Sequence, residues 1–87
     1  MIIRAITKAS KKVVDKYAVY FWDGTCLTLS SNPDSPQGVS QMSEYYGIND
    51  SDFETGRVGD EQMINWFELP VVVQAHIEKR IRQAQEK

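Results

Sequence analysis

The 87-residue sequence holds one cysteine, Cys26, and one histidine, His76, and so has little of what builds disulfides, zinc sites and most acid–base catalysis. A lone thiol closes no internal disulfide, and no cluster of cysteine and histidine has zinc-ligand spacing. Cys26 falls in a strand-forming run, where a small buried hydrophobe is its ordinary role. His76 stands at the border of an apolar helical stripe, with no recognisable nucleophile and orienting acid to make it catalytic. Also missing are a glycine-rich phosphate loop, a paired-carboxylate signature and a dinucleotide fingerprint. The expectation is a protein that is not an enzyme, with no cofactor, no metal and no small-molecule substrate. The opening Met1-Ile2-Ile3-Arg4 begins no long apolar run, so neither a signal peptide nor a membrane span is expected, and the cytoplasm is the expected location.

What is present is the composition of an ordinary folded domain, 41% hydrophobic, 25% charged and 10% aromatic. A chain this short buries only about 60 to 65% of its unfolded surface, so one domain over residues 1–87, leaning on a partner or a second copy, is expected. The net charge of −2 hides segregation along the chain. Residues 1–22 carry five cations against Asp15, residues 23–68 nine carboxylates against Arg57, and residues 69–87 four cations against two glutamates. Such a block of acid either solvates a face or steers a basic partner.

The firmest local signal is Lys16 to Ser30, two β-rich runs meeting at Asp23-Gly24. Asp-Gly suits a two-residue type I′ turn, whose central residues both need positive φ. That turn sets Trp22 opposite Thr25, Phe21 opposite Cys26, Tyr20 opposite Leu27, Val19 opposite Thr28 and Ala18 opposite Leu29. One face then carries Ala18, Tyr20, Trp22, Leu27 and Leu29, and the other Tyr17, Val19, Phe21 and Cys26. Both faces are largely apolar, which asks for two covers.

Ile2 to Thr7 reads as a first strand, and Lys8 to Asp15 as a lysine-rich connection in which Val13 and Val14 begin the next strand. Ser30 to Gly38, with two prolines, is turn-rich loop. Ser40 is then the N-cap of a short helix through Tyr46, ended by Gly47, which displays Met42, Tyr45 and Tyr46. Asp50, Asp52, Glu54 and Glu61 fall at positions one, three, five and twelve of a calcium-loop template, but position six is Thr55 and the glycine comes one place late. An acidic loop without metal is the expectation. Glu61 to Trp66, following Gly59, forms another strand, with Ile64 and Trp66 on one face and Met63 and Asn65 on the other. Pro70 starts a closing helix to about Gln85, whose core stripe is Leu69, Val73, Ile77, Ile81 and Ala84.

The fold class is therefore α+β: a three- to four-stranded antiparallel β-meander, a short helix near 40–46, and a C-terminal helix over about 70–85 packed on one face. One helix covers one face, taken to be that of Tyr20, Trp22, Leu27 and Leu29. The uncovered Tyr17, Val19 and Phe21, with Met42, Tyr45 and Tyr46 nearby, become the candidate partner-binding residues. The functional expectation is a non-enzymatic interaction module, a homodimer or a binder of a protein partner, whose acidic middle favours a basic one. The alternative is a nucleic-acid binder using Lys8, Lys11, Lys12, Lys79, Arg80 and Arg82, discriminated by the salt dependence of binding.

Overall fold

The computed structural model describes residues 2–10, 16–30, 38–40, 42–46, 48–58 and 61–85. Of the features expected above, Lys11, Lys12, Val13 and Val14, the interior of the Ser30–Gly38 loop, the terminator Gly47 and Gly59 lie outside the described residues. The fold is α+β. Six strands, β1 (Ile3–Ala9), β2 (Tyr17–Phe21), β3 (Thr25–Leu29), β4 (Ser43–Glu44), β5 (Arg57–Val58) and β6 (Glu61–Ile64), form one antiparallel sheet in the order β4-β3-β2-β1-β6-β5. A five-residue helix, α1 (Asp50–Glu54), precedes β5, and a 15-residue helix, α2 (Val71–Gln85), closes the chain. The first three strands form the expected meander. The two-residue β4 extends it beside β3, while the strand at Glu61 returns beside β1, with Ile6 opposite Ile64 and Ala9 opposite Glu61.

The hairpin is real, but its register is one residue away from the two-residue expectation. Tyr17 pairs with Leu29, Val19 with Leu27 and Tyr20 with Cys26. Trp22-Asp23-Gly24 is thus a three-residue loop. Gly24 alone has positive φ there, at 88°, and its N–H donates to the Phe21 carbonyl over 3.2 Å. The Asp23 carboxylate accepts from the Thr25 N–H at 3.0 Å and from the Thr25 hydroxyl, so Asp23 keeps an ordinary negative φ and Gly24 takes the left-handed position of the longer loop.

A one-residue slip moves a strand's side chains to the other face relative to its partner. The observed register therefore gathers Tyr17, Val19, Phe21, Leu27 and Leu29 on one face, and Leu69 just ahead of α2, with Val73 and Ile77 within it, covers that face. Val19, Phe21, Leu27, Leu29, Val73 and Ile77 are fully buried, each such side chain stabilising the fold by about 1.5 to 3 kcal/mol relative to exposure. The expected helix stripe holds from Leu69 to the partly buried Ile81, whereas Ala84 is exposed. Pro70 stands just ahead of the helix, and its carbonyl accepts the N–H groups of Val73 and Gln74, both at 3.0 Å. Ile64 and Trp66 do share the α2 side, and Met63 the other, although Trp66 belongs to a 3-10 turn at Trp66–Glu68 rather than to the strand.

The opposite face is lined by small residues, Ala5, Thr7 and Ala18, which let its own cover approach closely. That cover comes from the chain itself: Tyr45, Ile48, Phe53 of α1 and Val58 pack on Tyr20 and the two alanines. The helix expected over 40–46 is not formed. Val39 bridges to Leu29, the Ser40 N–H donates to the Thr28 carbonyl, and the Ser40 hydroxyl accepts from the Thr28 N–H, both at 2.9 Å. Ser40 thus satisfies the outer edge of β3 instead of capping a helix, and Ser43–Glu44 continues along that edge as β4.

Candidate functional site

The six residues proposed from sequence as a partner surface scatter. Tyr17, Val19 and Phe21 are buried beneath α2, so their expected exposure is overturned by the register of the hairpin. Met42 is half-buried against that same core. Tyr45 is half-buried in the second cluster, where its ring meets Tyr20 edge-on at 5.2 Å between centroids and Phe53 at 6.0 Å. Only Tyr46 stands at the surface. The chain itself supplies covers for both sheet faces, so neither face needs a second copy to bury it.

The first positions of the calcium-loop template are helical here. Asp50, Asp52 and Glu54 lie within helix α1, and the Asp52 carboxylate accepts the Asn49 N–H at 2.8 Å, closing the first turn. Among the described residues no three metal-ligating side chains come together. Glu61 instead receives the hydroxyls of Thr7 at 3.1 Å and Tyr20 at 3.4 Å across three neighbouring strands. Burial, with the negative charge of Glu61 second, pushes the Tyr20 phenol up to about 12. His76 sits half-buried beside Ile77 on α2.

Large apolar side chains are nevertheless exposed, and they share one end of the sheet. Antiparallel pairing places the start of β1, the β2–β3 turn, the end of β4 and the exit of β6 at that end. The Trp22 N–H donates to the Ile2 carbonyl at 3.0 Å, and the Tyr45 N–H to the Gly24 carbonyl at 3.2 Å. β6 leaves its pairing at Ile64, opposite Ile6, and runs toward the level of Ile3 before the 3-10 turn carries Phe67 and α2 begins. Relative exposures are 72% for Ile2, 62% for Trp22, 81% for Tyr46, 90% for Phe67 and 79% for Val71. Scattered single apolar residues are normal on a surface, whereas these five lie along one end of the sheet, from the β4 edge to the exit of β6.

A β-bulge shapes this end. Ile3 pairs with Phe21 but Ala5 with Tyr20, leaving Arg4 as the extra residue. The bulge keeps Ile3 and Ile6 together on the α2 side and turns Arg4 to the opposite one, where its guanidinium carbon lies 4.5 Å from the Trp22 ring centroid and its Nη2 pairs with Asp50. The other charged side chains described at this end are acidic: Asp23, Glu44, Asp50 and Glu68. The Thr25 hydroxyl and N–H hold the Asp23 carboxyl below its usual range, and Glu44, accepting the Tyr46 hydroxyl, raises that phenol. Lys8 lies toward the far end of β1, and Lys79, Arg80 and Arg82 ride the second half of α2, beginning about 12 Å of helix beyond Val71.

Sequence reasoning missed Ile2, Trp22, Phe67 and Val71. The signals were there: Trp22 sits inside the turn, and Phe67 is an aromatic just before Leu69-Pro70, one step off the face that Trp66 and Leu69 use. Comparison with protein-family models, with curated proteins and with solved structures found no match.

Proposed function

We propose that the chain is a non-enzymatic protein-interaction module whose contact surface is the hairpin end of its sheet. The observation that carries this reading is the concentration of Ile2, Trp22, Tyr46, Phe67 and Val71 at one end, exposed although both sheet faces have covers in the same chain. Tryptophan, tyrosine and phenylalanine are favoured anchors of interfaces because they desolvate a large area at low entropic cost. The module works in the cytoplasm, a compartment that keeps a lone thiol such as Cys26 reduced.

The test is a double substitution, Trp22→Ala with Phe67→Ala, in the full chain. A protein that co-purifies with the wild-type chain should bind the double variant at least about tenfold more weakly, while circular dichroism and the unfolding midpoint stay close to wild type. Unchanged affinity in a folded double variant refutes the reading.

A further inference from the structure

We infer that the occupant of this end is a cationic protein segment carrying large apolar anchors, with lysine or arginine flanking them; the inference rests on the interaction-module reading above. Two features of the same surface select it. The apolar group of Ile2, Trp22, Tyr46, Phe67 and Val71 needs apolar partners. Its surround is the carboxylates of Asp23, Glu44, Asp50 and Glu68, and Arg4 is the one cation among the described side chains there.

Arg4 does not neutralise the surround for an incoming chain. Its side chain is only 16% exposed, enclosed by the Trp22 and Phe53 rings, whereas the Asp50 side chain that it pairs with is 84% exposed and presents its outer side to solvent. The Tyr46 hydroxyl donates to Glu44, which fixes an exposed aromatic ring beside a carboxylate. A lysine or arginine placed there meets a ring face and an anion together.

Charge also decides against the other occupants. A second copy docked symmetrically through this end would repeat the same patch on both sides and bring these carboxylates against their own counterparts. Lys79, Arg80 and Arg82, farther along α2, stand outside such a contact. Nucleic acid and anionic lipid are repelled by the same surround.

The test uses the full chain, isotopically labelled, titrated with two synthetic amphipathic peptides that share leucine and tryptophan positions and differ only in lysine or glutamate at the polar ones. The lysine peptide should shift the amide resonances of Ile2, Trp22, Tyr46, Phe67 and Val71, bind at least about tenfold tighter than the glutamate peptide, and weaken as salt rises. Glu44→Lys, an exposed change, should narrow that preference, and Phe67→Ala should weaken the lysine peptide. Equal binding of the two peptides at these residues overturns the charge inference and leaves the contact surface standing. Shifts that avoid all five residues with either peptide overturn both. A concentration-dependent dimer that protects the same five residues overturns the choice of occupant.

Discussion

The Arg4 guanidinium carbon lies 4.1 Å from the centroid of the Phe53 ring, so the first strand holds down helix α1 through a cation on an aromatic face. Arg4 reaches that ring because the bulge between Ile3 and Ala5 turns it there, and Trp22 and Asp50 complete its enclosure. Arg4→Ala should lower the melting temperature and speed hydrogen exchange over Asp50–Glu54 more than over β2 and β3. Arg4→Lys should behave like the alanine variant, since a compact ammonium does not reproduce a planar group stacked on two rings. A lysine variant with wild-type exchange in α1 would show that charge alone holds the helix.

The two aromatics that end β2 and begin its turn should respond oppositely. Phe21 is fully buried beneath α2 and Trp22 is exposed, although they are neighbours. Phe21→Ala should cost about 3 to 5 kcal/mol in urea unfolding, and Phe21→Lys should prevent folding by burying an unpaired charge. Trp22→Ala should cost less than about 1 kcal/mol. A larger cost at Trp22 than at Phe21 would mean that the hairpin takes the other register.

Gly24 tests the turn itself. Its φ is +88°, and a Cβ there would meet nothing within 4 Å. The penalty of Gly24→Ala is then backbone strain without a clash, about 1 to 2 kcal/mol, and Gly24→Asn should cost less because asparagine tolerates the left-handed region. The midpoint of chemical unfolding reads both. A larger loss for asparagine than for alanine would contradict the assignment of strain to φ.

Alkaline pH should weaken the fold through Tyr20. Its phenol ionises at about 12 in the folded chain, against 10.0 for a free tyrosine, because it is buried and faces Glu61. Below pH 10 both states keep the proton and the stabilisation is whole. Between about pH 10 and 12 the unfolded chain loses the proton first, and stability should fall by about 2 to 3 kcal/mol. Tyr20→Phe should flatten this slope in unfolding curves measured across that range. A slope equal to wild type would place the titration elsewhere.

Much of the fold was legible in the residues. The three-strand meander, the closing helix after Pro70 and its stripe through Leu69, Val73 and Ile77 follow from β-branched runs, proline and a spacing of four. The sheet faces were read the wrong way round for one local reason. Asp-Gly permits both a two- and a three-residue loop, and the bonds from Thr25 to the Asp23 carboxylate select the longer. That single residue of register decides whether Tyr17, Val19 and Phe21 are surface or core, and they are core. The bulge at Arg4 and the return of β6 beside β1 depend on contacts distant in sequence, so neither could be read from local pattern. Ser40 was ambiguous in another way, since its hydroxyl suits a helix cap and a strand edge equally.

The claim that function resides at the hairpin end is tested most directly by photo-crosslinking within the source cell. Benzoylphenylalanine would replace either Phe67, at that end, or Gln83, on the exposed side of the second half of α2. A discrete heavier adduct should form from position 67, disappear when Trp22→Ala is added, and be absent from position 83. Adducts from position 83 with none from position 67 would contradict the account.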